Sequence, residues 1–96
     1  MIIVLATMVV KPEKKGALAP LTLELILKTR NEDGCISYEL LSKTDNENTQ
    51  TFVEKWESMD ALKLHMQTPH FLNFGEKTKD FFIGDMNIEI FDAVKK

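Results

Sequence analysis

His65 is the residue whose type and position could most directly do chemistry. It falls at the three-and-four spacing of Ala61, Leu62 and Met66, which predicts that all four share the apolar face of one helix. Its ring should therefore point towards the core, where imidazole nitrogens need partners. Two interpretations follow: a core histidine satisfied by a backbone carbonyl or by Glu54, or a general base.

Glu54 is the second such residue. In an extended strand it shares one face with Phe52 and Trp56. A carboxylate between two large aromatic side chains is costly to bury unless it is paired. If this face meets the helices, Glu54 could hydrogen-bond to His65 and orient it as a base. The alternative is that Glu54 lies near the sheet edge and is solvated.

Aromatic side chains supply the remaining candidate binding groups. The indole N–H of Trp56 and the phenol of Tyr38 could each serve a ligand, or the two rings could simply pack in the core. Phe71 and Phe74 belong to a helix-spaced group that is dense enough to wall an aromatic-friendly cavity. His70, beside a proline, is expected to be a surface or capping residue.

The composition excludes several kinds of site. One cysteine and two histidines are too few for a structural zinc site. The sequence holds no phosphate loop, dinucleotide fingerprint or nucleophile elbow. We therefore expect Cys35 to be a buried small hydrophobe, and any enzyme built from these residues to work without a metal or a tightly held cofactor.

The candidate side chains lie on predicted strands and helices that alternate along the chain. Hydrophobic patterning predicts strands over residues 2–10, 35–43, 50–57 and 86–94, and helices over residues 12–30, 58–67 and from 69 onwards. The order β-α-β-β-α-β is the split βαβ pattern of ferredoxin-like α+β domains. It predicts a single domain over residues 1–96, with one antiparallel sheet and helices on one face.

The apolar pattern of the first predicted strand indicates that a second protein surface covers it. This strand is apolar on both faces, although an antiparallel sheet with one face in water should alternate. A chain of 96 residues also has a marginal core, and one cysteine cannot form an internal disulfide. A homodimer whose two sheets face each other would supply the missing burial.

The net charge of the chain limits which other classes of partner are expected. The net charge is −3, and no basic cluster suits a phosphate backbone, so no nucleic-acid partner is expected. The apolar first six residues are too short for a membrane span and lack the basic start of a signal peptide. The expectation is a reduced, cytoplasmic protein without membrane contact.

Two stretches resemble the antibiotic-biosynthesis-monooxygenase (ABM) domain family. The segment Asp33-Gly34-Cys35-Ile36-Ser37-Tyr38-Glu39-Leu40 is similar to the family's E-P-G-C-x-x-Y-x-L strand. The second stretch is similar to its F-x-x-x-E-x-W … A-L-x-x-H-x-x-T-P-H-F pattern, here Phe52-Val53-Glu54-Lys55-Trp56, Asp60-Ala61-Leu62, His65 and Thr68-Pro69-His70-Phe71. In order and spacing, the resemblance covers nearly the whole chain.

The resemblance implies a dimeric α+β barrel and a cofactor-independent monooxygenase that oxidises a small aromatic or quinol substrate with O₂. On this basis His65 is the base or proton shuttle and Glu54 orients it. The substrate-binding residues implied are Trp56, Tyr38, Phe52, Phe71, Phe74 and Thr7.

The family is functionally mixed, so alternatives stay open. Haem-degrading relatives use asparagine, tryptophan and histidine where this chain has Thr7, His65 and about Phe74, so haem degradation is not expected. A branch with the same His-x-x-Thr-Pro-His spacing isomerises a phosphorylated signal molecule, which would need cations such as Lys55, Lys63 or Arg30. A third alternative is a non-enzymatic, dimeric ligand-binding protein.

Overall fold

A computed structural model describes all 96 residues of the chain. The elements, in order, are β1 (Ile2–Val9), a 3₁₀ turn (Pro12–Lys14), α1 (Lys15–Thr29), β2 (Cys35–Lys43), β3 (Asn46–Trp56), α2 (Met59–His65), α3 (Pro69–Thr78) and β4 (Asn87–Asp92). The four strands form one antiparallel sheet in the order β2-β3-β1-β4. The predicted ferredoxin-like α+β fold is confirmed.

The largest differences from the predicted boundaries are at the start of β3, which is Asn46 and not residue 50, and at the start of α1, which is Lys15 and not residue 12. β3 begins at Asn46, so the β2–β3 turn is shorter than the polar stretch suggested. This end of the hairpin is exposed, so backbone pairing decides the strand and no apolar pattern is needed. In α1, Pro20 lies in the helix interior, past the first turn where proline is easiest to accommodate. None of the helices is both long and apolar enough to cross a membrane.

The sheet has a covered face and an open face. On β1 the even-numbered residues are buried and lie opposite Trp56, Glu54, Phe52 and Gln50 of β3. They form the core together with side chains from the helices, such as Leu18, Leu25 and Leu62. The odd-numbered residues Ile3, Leu5, Thr7 and Val9 point to the other face, which no helix covers. Helices on one face only, as predicted, place the interior of the molecule between that covered face and α1–α3.

Candidate functional site

A cavity of about 310 Å³ lies between the covered face of the sheet and the helices. Most of its wall is apolar, and its polar lining residues include Tyr38, Glu54 and His65. Ile88 and Ile90 of β4 form one side and remain 56% and 49% exposed, so the cavity opens to solvent along this strand. It is therefore an apolar chamber with few polar groups, the form typical of a small-molecule site.

His65 is placed at the cavity wall by the short helix α2. Ser58 caps the helix by accepting a hydrogen bond from the Ala61 backbone N–H at 3.1 Å, as its sequence position predicts. The buried residues of this helix are Ala61, Leu62 and His65, which is the face that the spacing indicated. At the other end, the Thr68 hydroxyl donates to the His65 carbonyl at 2.7 Å. Both ends of α2 thus fix the imidazole, which is 1% exposed.

The partner of His65 is Glu32, not Glu54. Nδ1 of His65 lies 2.7 Å from Oε2 of Glu32, and Nε2 of His70 lies 2.7 Å from the same oxygen. A carboxylate can only accept, so both nitrogens are the N–H donors of their rings. The predicted hydrogen bond between Glu54 and His65 is wrong, because Glu32, in the loop after α1, is the carboxylate that contacts the imidazole.

The tautomer of His65 follows from this contact. With the proton on Nδ1, Nε2 carries the lone pair, and Nε2 has no hydrogen-bond partner although it is buried. Burial lowers the pKa of His65 below its ordinary value, and the hydrogen bond and charge of Glu32 oppose that shift. The result is a neutral, oriented imidazole with a buried, unpartnered basic nitrogen, on a residue that lines the cavity.

The loop that carries Glu32 is seated directly against α2. Gly34 has a φ of +83°, and a Cβ built there would lie 2.6 Å from the Cβ of Ala61. The carbonyl of Gly34 accepts from the Glu57 backbone N–H at 2.8 Å. Only glycine fits this left-handed, crowded position. The close approach brings Glu32 within reach of His65.

Glu54, on β3, also lines the cavity. It is 6% exposed, so the alternative of a solvated sheet-edge residue is also wrong. Its Oε1 accepts a hydrogen bond from the Trp56 indole N–H at 3.0 Å. Burial raises the pKa of Glu54 to about 7, and the Trp56 hydrogen bond opposes this rise only in part. Near neutral pH this carboxyl can therefore hold or release a proton.

The predicted substrate-binding residues divide into two groups. Tyr38, Phe52, Phe71 and Phe74 line the cavity. The Tyr38 ring packs 5.3 Å from those of His65 and Phe52, centroid to centroid, and its hydroxyl makes no hydrogen bond within the chain. Burial raises the pKa of Tyr38, which keeps this phenol protonated and able to donate.

Trp56 and Thr7 do not line the cavity. Trp56 is fully buried, and its indole N–H is taken by Glu54, so it supports the wall and does not reach a ligand. Thr7 lies on the open face of the sheet, where its hydroxyl is 2.9 Å from that of Thr51. Its odd number on β1 turns it away from the helices and the cavity, so its assignment as a substrate contact stays a prediction without support from the cavity lining.

Other expectations for charged and reactive residues also change. Arg30 donates from Nε to the Tyr38 carbonyl, and neither it nor Lys55 or Lys63 lines the cavity. The one cation in the lining is Lys79, which is paired with Glu76 at 2.9 Å. Cys35 is only partly buried, and desolvation raises the pKa of its thiol, which suits the predicted hydrophobic role.

Sequence reasoning missed Glu32 and misplaced His70. Glu32 stands 33 residues before His65, so no spacing rule pairs them. A signal was present, because the E of the family's E-P-G-C pattern falls at Glu32, directly before Asp33-Gly34-Cys35, and His70 lies in Thr68-Pro69-His70-Phe71. The donor atoms of Glu32, His65 and His70 lie within 4.8 Å of one another, so they are the group here that could hold a metal ion.

Comparison with known proteins places this site in a family. The sequence model of the family described as "Antibiotic biosynthesis monooxygenase" matches residues 1–77. A Bacillus subtilis protein named "Putative monooxygenase YcnE" is 34% identical over 88 residues, which cover 92% of this chain and 93% of the relative. An uncharacterized Synechocystis protein is 37% identical over 90 residues, and the chain spans only 61% of its length.

Solved structures agree with the sequence comparison. A crystal structure described as an antibiotic biosynthesis monooxygenase superposes with a TM-score of 0.93 at 32% identity, covering 99% of this chain and 100% of the other. The fold, the sequence match and the relatives therefore lead to one conclusion: the chain belongs to the antibiotic biosynthesis monooxygenase family.

Proposed function

We propose that this chain is a monooxygenase that oxidises a small, electron-rich phenol or quinol with O₂ and without a tightly held cofactor. One observation carries the proposal. Nε2 of His65 is buried and unpartnered, while Nδ1 is held by Glu32 and the ring forms part of the cavity wall. A fixed imidazole with a free lone pair beside a binding chamber is the arrangement that a general base requires.

The cavity suits an aromatic substrate. Its volume of about 310 Å³ matches a small ring system, and Phe52, Phe71 and Phe74 give it apolar walls. Family membership and the monooxygenase name of the Bacillus subtilis relative support an oxygenase over other chemistry. The Tyr38 hydroxyl and the Glu54 carboxyl are the polar groups available to orient a substrate oxygen.

The proposed reaction balances without an added reductant. Nε2 of His65 removes the phenolic proton, and the phenolate passes one electron to O₂ to give a phenoxyl radical and superoxide. These combine at a ring carbon that bears hydrogen, forming a C–O bond, and a proton completes the hydroperoxide. Loss of water then breaks the O–O and C–H bonds. One oxygen atom ends in the quinone and the other in water, so the substrate supplies all four electrons.

Glu32, Glu54 and the apolar wall of the cavity each have a part in this scheme. Glu32 stabilises the imidazolium that forms when His65 takes the proton. Glu54, whose pKa is raised to about 7, can supply the proton that the peroxide oxygen needs. The apolar wall keeps water from the radical pair.

The alternative of a phosphorylated substrate has weaker support. A phosphate group would need unpaired cations or a cluster of backbone N–H groups. Of the cavity residues only Lys79 is cationic, and it is already paired with Glu76.

We also propose that the open face of the sheet packs against a second copy of the chain. Ile3, Leu5 and Val53 are only partly buried on this face, and Leu41 and Phe91 are 53% and 45% exposed. Only 18 of 96 residues are buried in the single chain. A sheet-to-sheet dimer would cover this apolar surface.

Oxygen uptake tests the proposed reaction. Chelator-treated protein should consume O₂ with at least some members of a panel of quinols and polyphenols, faster than buffer alone. His65→Gln, which keeps a polar side chain of similar size, should lower kcat/KM by roughly 10²- to 10⁴-fold. Lys63→Ala, on the exposed side of the same helix, should change it less than twofold. Uptake that needs an added metal ion, or that survives His65→Gln, would contradict the proposal.

Sedimentation tests the proposed dimer. Wild-type protein at micromolar concentration should sediment as a dimer, and Leu5→Lys on the open face should sediment as a monomer. Leu23→Lys, at a 56% exposed position on α1, is the matched control and should stay dimeric. A monomeric wild type would end this part of the proposal and leave the oxygenase part standing.

A further inference from the structure

Three potential metal ligands converge behind His65 from separate parts of the chain. Glu32 comes from the loop after α1, His65 from the end of α2 and His70 from the first turn of α3. Oε2 of Glu32 lies 2.7 Å from both Nδ1 of His65 and Nε2 of His70. The side chains of Glu32 and His70 are 13% and 16% exposed, so an ion could reach them from solvent.

We propose that Glu32, His65 and His70 bind one zinc-like divalent ion, and that this ion converts the unpartnered Nε2 of His65 from a hydrogen-bond acceptor into a donor. Binding of the ion is independent of the proposed oxygenase reaction. Its effect on activity rests on that reaction.

The donor set selects the kind of ion. Two imidazole nitrogens and one carboxylate oxygen suit Zn²⁺, Co²⁺ or Ni²⁺, whereas Mg²⁺ and Ca²⁺ prefer oxygen ligands. Bonds of about 2.0–2.2 Å in a tetrahedron place ligand atoms about 3.3 Å apart. The two 2.7 Å distances therefore need to open by about 0.6 Å, and the distance between the two imidazole nitrogens, which lies within 4.8 Å, must reach the same value. Water would fill the fourth position.

The ion would lie outside the cavity. His65 lines the cavity, but Glu32 and His70 do not. The ligand atom of His65 is Nδ1, on the side of the ring that faces Glu32, whereas Nε2 is the unpartnered nitrogen. The ion therefore acts on a substrate only through the imidazole ring.

Binding of the ion changes which nitrogen of the His65 ring carries the proton. Nδ1 must give up its proton to offer a lone pair to the ion, and a neutral imidazole then carries its proton on Nε2. The ring keeps one proton throughout, but Nε2 changes from base to donor. A phenol can no longer be deprotonated there. Zn²⁺ should thus inhibit the oxygenase reaction, and Mg²⁺ should not.

Cobalt titration tests the binding without any substrate. Untagged, chelator-treated protein is titrated with Co²⁺, whose visible absorption intensifies on tetrahedral coordination, and Zn²⁺ is then added as a competitor. We expect one Co²⁺ per chain, displaced by Zn²⁺. Glu32→Gln and His70→Gln should each weaken binding at least tenfold. Glu13→Gln, which removes an exposed carboxylate elsewhere, should not.

Nitrogen NMR of histidine-labelled protein tests the tautomer change. With Zn²⁺ the proton signal of His65 should move from Nδ1 to Nε2. Absence of Co²⁺ binding at millimolar concentration, equal binding by His70→Gln and wild type, or an Nδ1 proton that persists in the zinc-loaded protein would overturn the proposal. Because His70 is partly exposed, His70→Gln is expected to fold even if Glu32→Gln does not. Neither measurement depends on oxygen uptake, so failure here and failure of the proposed function are distinguishable.

Discussion

Two carboxylates belong to the site, the partly buried Glu32 that contacts His65 and the buried Glu54 that lines the cavity, and their surroundings differ. Glu32 receives two imidazole N–H groups on one oxygen, whereas Glu54 receives a single indole N–H from Trp56. Glu32 lies outside the cavity and Glu54 is part of its wall. Burial raises the pKa of Glu54 to about 7. The number of donors and the access to the cavity thus separate an orienting carboxylate from one that can exchange a proton.

Removal of the Glu32 carboxylate should have the largest effect. Glu32→Ala leaves the N–H groups of His65 and His70 without their acceptor, one of them fully buried, which should lower the free energy of unfolding by about 3 kcal/mol. Denaturant unfolding of metal-free protein measures this. Glu32→Gln keeps an amide oxygen that can accept and should lose clearly less. A loss under 1 kcal/mol for Glu32→Ala would mean that Glu32 does not hold the two histidines.

The second prediction concerns Glu54 and pH. The unfolded carboxyl ionises near 4.5, while the folded one keeps its proton up to about pH 7. Folding therefore becomes less favourable as pH rises through this window, by about 3 kcal/mol once pH exceeds 7. Glu54→Gln lacks this penalty, so its stability relative to wild type should increase from pH 4.5 to pH 8.

Comparison of the two proteins at each pH isolates Glu54. His65, whose pKa is lowered by burial, contributes pH dependence of the opposite sign, but it is present in both proteins and cancels. A stability difference that stays constant between pH 4.5 and pH 8 would show that Glu54 is not shielded from water as its burial indicates.

Trp56→Phe should give a smaller effect at the same carboxylate. The change removes the only hydrogen bond to Glu54 and leaves a small gap, which should cost about 2 kcal/mol of unfolding free energy. Loss of a donor to the ionised form should also raise the pKa of Glu54 further. The pH midpoint of the stability difference between Trp56→Phe and its Glu54→Gln double variant should therefore move upwards. An unchanged midpoint would contradict the assigned hydrogen bond.

The smallest effect is expected on the open face of the sheet. Thr7→Val removes one hydroxyl contact with Thr51 on the side away from both carboxylates. Unfolding free energy should change by less than about 1 kcal/mol and kcat/KM by less than twofold. A tenfold loss of activity would return Thr7 to the substrate-binding residues.

The sequence predicts the elements of this fold better than the contacts of the site. Apolar periodicity is local, so the predicted starts of α2 and α3 at residues 58 and 69 lie close to the observed ones at Met59 and Pro69. Alternation on β3 likewise placed Glu54 on the same face as Phe52 and Trp56. The partner of His65 depends on how the loop after α1 meets α2, which no periodicity encodes. The face of Thr7 could not be predicted, because a strand with apolar residues on both faces hides which face is covered.

The geometry of the site depends on Gly34, a residue that has no functional group of its own. Its Cβ would meet Ala61 on the helix that carries His65. If position 34 mutated during evolution, any new side chain would move α2 or the Glu32 loop. The Glu32 carboxylate would then be separated from the His65 imidazole. Substitutions in the cavity wall can alter the choice of ligand while the site survives. A substitution at position 34 would dismantle the site while every group that does chemistry remained in the chain.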